Sequence, residues 1–416
     1  MNKIEKLKNI EFLRFVFIIL IVFVHVENQL CLKFASDIFP SYFKSAGLGV
    51  EFFFIMSGFF FGLADLNKVS FITFVKKKIL RLWPVVWFSV ILYAILAHFI
   101  PLPYHRFINI YILLGINNVG FTTVYGNNSS AWFVSALFWT LLFYFFLRKH
   151  LSKDWMIFVS TMIMFGGFAF YIHSAGRPFV NVAYIFNRGL MRAFASIGLG
   201  YLLSIIYLKI KPTVLKYNNT MLVNLFYTIS EIYLFSFLMY YLSFQQIKSP
   251  DAYMIYILAF SGLFWLFILK RGYFSRLLNN RFSEILGKYS YSIFVMQAIV
   301  LDSSQFCLWM PHREFIIRYP VLNFILPVVG SIILGIITYH FVEQPAAEFL
   351  RKKWFFKNKC KNTENQLPEP VLPVRGGGEL MDFKSNINKT KKEKNFSFFV
   401  RYNLKEYFKH LCWILF

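Results

Sequence analysis

The first apolar stretch of the chain carries two ionisable residues whose types and spacing could do chemistry, Arg14 and His25. On an α-helix they are separated by three turns to within about 20° and by about 16 Å along the axis, so they share one face. Glu11 can pair with Arg14 from one turn earlier. A histidine can act as a general base near neutral pH, and an arginine can hold a phosphate by two hydrogen bonds. This helix would therefore offer an anion site at its start and proton transfer nearer its end.

The same residues have a simpler explanation, in which Arg14 reaches the lipid headgroups and His25 caps the opposite interface. A charge is costly in hydrocarbon, so an ionisable residue inside a span is a functional candidate by default. Glu51 is a second such residue, in the next apolar run. Close helix packing explains Ser57 and Gly58 in that run without chemistry, but it does not explain Glu51.

A basic pair, Lys78 and Arg81, stands just before Pro84 and shares one helix face. Such a pair could hold a phosphorylated cofactor. It could equally be only a signal that sets the orientation of the chain in the membrane.

The elements that position these residues are predicted from composition. The chain has 416 residues, of which 57% are hydrophobic and 15% charged, whereas soluble domains are about 45–50% apolar and about 25% charged. A soluble enzyme, a disordered protein and a disulfide scaffold are therefore excluded. The net charge of +24 would suit nucleic acid, but 54 Phe and 24 Tyr in long apolar runs argue against that partner.

We predict an all-α, polytopic membrane helix bundle of about ten transmembrane helices within residues 1–352, because a span needs about 20 apolar residues. The stretch 107–116 is too short and is predicted to be re-entrant or interfacial. The predicted spans are 11–27, 45–65, 82–100, 131–147, 155–173, 190–208, 222–243, 253–269, 289–308 and 320–342.

The basic residues orient this bundle. The loops on the side of the N-terminus hold 19 Lys and Arg, against 8 in the opposite loops. The positive-inside rule therefore predicts that both termini are cytoplasmic. The expected location is the cytoplasmic, or inner, membrane.

The C-terminal tail has a different composition. Residues 353–394 are basic, polar and rich in Pro and Gly, and are predicted to be a disordered linker. Residues 395–416 have apolar positions on one helical face and basic residues on others, which suits an amphipathic helix on an anionic leaflet. A poorly ordered tail without a role is an equal alternative.

Several motifs, taken together and in order, resemble those of the acyltransferase 3 family of membrane-bound acyltransferases. The resemblance covers about residues 8–352. The matching segments are Arg14-x10-His25, Gly49–Phe59, Lys78-x-x-Arg81-x-x-Pro84, Ala131–Trp139, Gly287–Ile293 and Phe341–Pro345.

This resemblance implies an O-acyltransferase that moves an acyl group, expected to be acetyl, from cytoplasmic acyl-CoA to a hydroxyl of an extracytoplasmic glycan or other envelope acceptor. It implies a central site that contains Arg14 and His25. Acyl-CoA, a glycan or lipid-linked glycan and membrane lipids are the expected partners, and no metal is expected. The alternative is a transporter or flippase for a lipid-linked sugar or an exported polysaccharide.

The resemblance also suggests roles for single residues. His25 would be the base, with Glu27 or Glu51 orienting it or helping to bind the acceptor. Glu51 is the better orienter, because Glu27 points elsewhere on an ideal helix. Arg14, Lys78 and Arg81 would hold the phosphates of CoA. The substrate-binding residues would be Glu27, Trp132, Ser135 and Tyr291.

Two positions depart from the family pattern. Lys78 stands where members often have Arg, and a Lys keeps the charge but loses the planar fork of donors. Gln297 stands where members commonly have a histidine, so a titrating role at that position is in doubt.

Overall fold

A computed structural model describes residues 7–34, 42–100, 102, 108–117, 128–173, 187–216, 220–245, 250–309 and 312–349. All regular structure in these ranges is helical. The predicted linker 353–394 and terminal helix 395–416 lie outside the described residues. The helices are α1 (Lys8–Phe34), α2 (Gly49–Leu63), α3 (Phe71–Leu96), α4 (Ile110–Leu113), α5 (Ala131–His150), α6 (Lys153–His173), α7 (Arg188–Lys216), α8 (Met221–Phe244), α9 (Pro250–Leu269), α10 (Tyr273–Leu277), α11 (Arg281–Ser304), α12 (Arg313–Arg318) and α13 (Pro320–Thr338).

Nine of these helices are long and apolar enough to cross a membrane, counting only the ranges given above. They are α1, α2, α3, α5, α6, α7, α8, α9 and α13. The fold class is therefore confirmed, with one fewer qualifying helix than the ten predicted. The difference is α11, the predicted span 289–308, whose buried Ser290, Ser292 and Gln297 lower its hydropathy. It packs against α1, α3 and α13, so its polar side chains face other helices.

Helix α3 begins well before the predicted span 82–100. The Ser70 hydroxyl caps it by accepting a hydrogen bond from the Thr73 amide at 3.3 Å. As a result Lys78 and Arg81 lie on a helix that continues through Pro84. The helix face predicted for Lys78 and Arg81 is therefore confirmed, and the helix fixes the direction of both cations.

Helix α4 occupies the segment predicted to be re-entrant or interfacial, and its four residues are too few to span. Three indole groups hold its end in place, among them Trp87, whose Nε1 donates to the Leu113 carbonyl at 3.1 Å. Trp83 Nε1 donates to the Leu113 carbonyl at 2.9 Å, and Trp139 Nε1 donates to the Gly115 carbonyl at 2.8 Å. This segment is therefore packed against α3 and α5 by specific hydrogen bonds.

Helices α2 and α7 approach closely because glycines face the partner backbone. A Cβ on Gly58 would lie 2.1 Å from the Ile197 carbonyl oxygen, and one on Gly200 would lie 2.0 Å from the Ile55 carbonyl oxygen. Any larger residue would push the helices apart. This contact fixes the start of α2, which carries Glu51, beside the start of α7.

Candidate active site

A cavity of about 170 Å³ lies among α1, α2, α3, α5 and α11. Towards the end of the bundle at which α1 begins, which we call the Lys8 end, its lining is polar. The polar lining residues are Arg14, Lys78, Arg81, Ser57, Ser290, Tyr291 and Glu343. The fold thus brings together the three cations that the resemblance assigned to the donor.

The cations of this cavity outnumber its carboxylates by three to one. Arg14 Nη1 donates to Glu11 Oε2 at 2.6 Å, which confirms the predicted pair, while the buried Arg14 Nε has no partner among the described residues. The half-buried Lys78 ammonium lies 5.3 Å from the Phe74 ring centroid. Neither Lys78 nor Arg81 forms an ion pair within the described ranges. Such a site attracts anions.

Glu343 is the carboxylate of the cavity, and it lies at the end of the π-helical turn Tyr339–Glu343. It accepts a hydrogen bond from Ser292 Oγ at 2.6 Å. The neighbouring Tyr291 hydroxyl donates to the Leu82 carbonyl. These two bonds join α11 to α13 and to α3, so they fix the polar end of the cavity. Tyr291, predicted to bind substrate, lies in the cavity lining.

The opposite end of the cavity is apolar and aromatic. The rings of Phe53 and Phe133 are 6.3 Å apart between centroids, and those of Phe133 and Phe294 are 5.2 Å apart. All three rings line the cavity. On α11, Phe294 is about one turn further from the Lys8 end than Ser290. The cavity therefore changes from basic to apolar along the bundle axis.

His25 lies beyond this apolar end. Because α1 is one continuous helix, Arg14, Ile18 and His25 share a face. Ile18 lines the cavity, and His25 follows it by two turns, or about 10 Å. The half-buried imidazole is not part of the cavity lining, and it forms no hydrogen bond or ion pair with another described residue.

Glu51 contacts α7 rather than His25. It is completely buried, and one carboxylate oxygen pairs with Arg192 Nε while the other accepts a hydrogen bond from Ser196 Oγ. Both oxygens are therefore occupied. The predicted role of Glu51 in orienting His25 has no supporting contact, and its observed partners explain why a carboxylate is retained here.

Three of the other predicted substrate-binding residues lie outside the cavity. Glu27 is buried and accepts hydrogen bonds from the backbone amides at 42 and 43, so it caps that turn. The Ser135 hydroxyl donates to Asn117 Oδ1 at 2.5 Å, so it joins α5 to the segment that follows α4. The Trp132 ring centroid lies 5.8 Å from the Arg192 guanidinium carbon, beside the Glu51 pair.

Gln297, one of the two departures from the family pattern, is fully buried. Its Nε2 lies 3.4 Å from Ser130 Oγ. It therefore joins α11 to the start of α5. A neutral amide can make this contact without titrating.

Sequence reasoning missed two residues. Glu343 stood inside a quoted motif but was given no role. Arg192 stood within the predicted span 190–208 and was not noticed, although an ionisable residue in an apolar run is itself a signal. What the sequence did not reveal is that Arg192 pairs with Glu51, since the two are far apart along the chain.

Comparison with known families identifies the chain over most of its length. A family model described as an acyltransferase domain, that of the acyltransferase 3 family, matches residues 7–340. The match covers all the residues of the cavity except Glu343. No curated protein and no solved structure matches the chain. The chain is a multi-pass membrane protein that belongs to the acyltransferase 3 family.

Proposed function

We propose that this acyltransferase takes a short acyl group such as acetyl from acyl-CoA and transfers it to a hydroxyl of an envelope glycan. One observation carries this proposal: a cavity in which three cations face one carboxylate at one end and aromatic rings lie at the other. The proposed donor side is the Lys8 end, which the distribution of basic residues predicts to be cytoplasmic.

The two ends of the cavity suit the two ends of the donor. CoA carries several phosphate charges, which Lys78 and Arg81 can bind without first breaking an ion pair. Charge-assisted hydrogen bonds of this kind contribute about 1.5–3 kcal/mol each. The thioester end would extend towards Phe53, Phe133 and Phe294. The Phe53, Phe133 and Phe294 rings at this end favour a short acyl group over a long chain.

The proposed reaction uses His25 as a general base. Its neutral imidazole removes the proton from the acceptor hydroxyl as the oxygen attacks the thioester carbonyl carbon. The C–S bond then breaks, and the departing CoA sulfur takes the proton from the imidazolium. One ester and one free thiol form, and the imidazole returns to its neutral state.

The aromatic end of the cavity must rearrange for this reaction. His25 is about two turns of α1 beyond Ile18, whereas Ile18 already lines the cavity. The thioester has to pass Phe53, Phe133 and Phe294 to reach the imidazole. Binding of the donor would displace these rings, which otherwise keep the thioester away from water.

The donor assignment is tested by measuring CoA binding to the purified full-length chain in detergent. Lys78→Gln and Arg81→Gln should each raise the CoA dissociation constant about tenfold or more, because each removes a contact worth about 1.5–3 kcal/mol. Lys76→Gln is a matched control: Lys76 is exposed on the same helix and lies outside the cavity. Equal affinities in all four proteins would overturn the assignment.

The role of His25 is tested with acetyl-labelled acetyl-CoA in membranes, by following label into envelope glycan. His25→Ala should reduce transfer about 10²–10⁴-fold, the usual contribution of a general base, and leave CoA binding unchanged. His98→Ala serves as the control, since His98 is exposed near the end of α3. Normal transfer by His25→Ala would remove His25 from the mechanism.

A further inference from the structure

The Glu51–Arg192 pair contains a donor that the proposed function does not use. Arg192 Nε is bonded to Glu51, but the buried Arg192 Nη2 has no hydrogen-bond partner among the described residues. A buried donor left without an acceptor costs about 1–3 kcal/mol. In native proteins such a group usually has a reason, for example a ligand or water.

Aromatic rings and a second guanidinium surround Arg192. Its guanidinium carbon lies 5.8 Å from the Trp132 ring centroid and 5.4 Å from that of Tyr171. Arg188 precedes Arg192 by one turn of α7, and its guanidinium carbon lies 4.7 Å from the Tyr171 ring centroid. On α9, the Tyr253 ring packs against Tyr171 in a tilted arrangement, with ring centroids 4.2 Å apart. Aromatic walls and a guanidinium thus converge from four helices.

Within the described ranges, the carboxylate of this cluster is that of Glu51, which pairs with Arg192, and Arg188 lies close to Arg192 on the same helix. The titratable groups that face the pair from the other helices, among the described residues, are the hydroxyls of Tyr171 and Tyr253. The cluster can therefore receive an anionic group without placing it against a second carboxylate.

The cluster lies at the level of the aromatic end of the cavity and short of His25, since Glu51 stands between Val50 and Phe53, which both line that cavity. Glu51 is in the first turn of α2, two residues after Gly49, and a Cβ on Gly49 would lie 3.3 Å from the Ile21 side chain of α1. His25 is one turn beyond Ile21. The cluster therefore flanks the rings at the apolar end of the cavity, with the Trp132 and Phe133 ring centroids 6.3 Å apart, so an acceptor held there would lie beside the proposed position of the thioester.

We propose that Arg192, flanked by Trp132 and Tyr171, forms an acceptor subsite that binds a carboxylate or phosphate group carried by a sugar. This proposal rests on the proposed function, because it assigns the acceptor of the same reaction. A guanidinium presents donors in a planar fork that suits either oxyanion, and Trp and Tyr supply rigid contact area for a sugar ring. Arg192 holds the acceptor and takes no proton.

The subsite is tested by saturation-transfer NMR on the full-length protein in phosphatidylcholine nanodiscs. The probes are D-glucuronate, D-glucose 6-phosphate and, as the neutral comparison, D-glucose. The two anionic sugars should bind more tightly than D-glucose, and Arg192→Gln should weaken them about tenfold. Arg318→Gln is the matched control, since Arg318 is exposed and lies 5.5 Å from the Tyr319 centroid.

The outcomes separate the two oxyanions and the two proposals. If Arg192→Gln loses binding of one anionic sugar and not of the other, the oxyanion of the lost sugar is assigned to the subsite. Binding of both anions no tighter than D-glucose, or unchanged binding in Arg192→Gln, overturns the subsite. If Arg192→Gln does not fold, Arg192→Lys decides, because it keeps the charge and loses the fork; unchanged affinity then overturns the proposal. CoA binding in the same samples tests the donor separately.

Discussion

The two charged regions of the bundle differ in what their cations contact. In the cavity, Lys78 and Arg81 lack a carboxylate partner within the described ranges and face open space. In the Glu51–Arg192 cluster, the carboxylate is completely buried and both of its oxygens are bonded. The cavity therefore keeps charge available to a ligand, whereas most of the charge in the cluster is used within the protein.

This difference separates binding from stability. Removing a buried partner leaves an uncompensated charge in a medium that solvates it poorly, and this typically costs about 3–5 kcal/mol. Removing an unpaired cation leaves nothing uncompensated. Removal of Glu51 from the cluster should therefore affect the folded state, and substitutions in the cavity should affect the donor.

The largest effect is expected for Glu51→Gln. This change leaves the Arg192 charge buried without its partner, so the free energy of unfolding should fall by about 3–5 kcal/mol. Thermal unfolding of the purified protein in detergent measures the loss. The double variant Glu51→Gln, Arg192→Gln should recover part of it, since neither charge remains. A stable Glu51→Gln protein that only loses transfer activity would instead support a catalytic role for Glu51.

A smaller effect is expected for Gly58→Ala. Its methyl group would lie 2.1 Å from the Ile197 carbonyl oxygen, so α2 and α7 would have to separate, at a cost of about 1–3 kcal/mol. Gly166→Ala is the control, because a Cβ there meets nothing within 4 Å; replacing a helical glycine there should be neutral or stabilising. Equal thermal unfolding of the two variants would show that the glycine contact does not hold the cluster together.

Much of the fold could be predicted because long apolar runs leave few alternatives to membrane helices. The prediction erred at α3, where the span was started at residue 82 although the helix begins at Phe71. Composition alone does not distinguish a loop from the first turns of a helix, and the deciding feature is the Ser70 cap. The predicted spans also overestimated the apolar character of α11, whose polar side chains are buried against other helices.

The site was predictable where residues lie on one helix or in one motif. Helical spacing was enough to put Arg14 and His25 on one face, and the motifs brought Lys78 and Arg81 to the same site. The partner of Glu51 could not be predicted, because it is set by the close packing of α2 on α7. A sequence without known contacts does not reveal which of several distant ionisable residues will meet.

The smallest effect, and the one opposite in sign, is expected for Lys78→Met. The half-buried ammonium has no carboxylate partner among the described residues and lines a largely apolar cavity, so its removal should raise the stability of the ligand-free protein by about 1 kcal/mol. The exposed Lys76→Met is the control and should change stability by less than about 0.5 kcal/mol. Thermal unfolding without CoA measures both, and a repeat with CoA should show less stabilisation of Lys78→Met than of the unchanged protein. A loss of stability in Lys78→Met without CoA would mean that this ammonium holds the cavity together, and the contrast between the two charged regions would no longer hold.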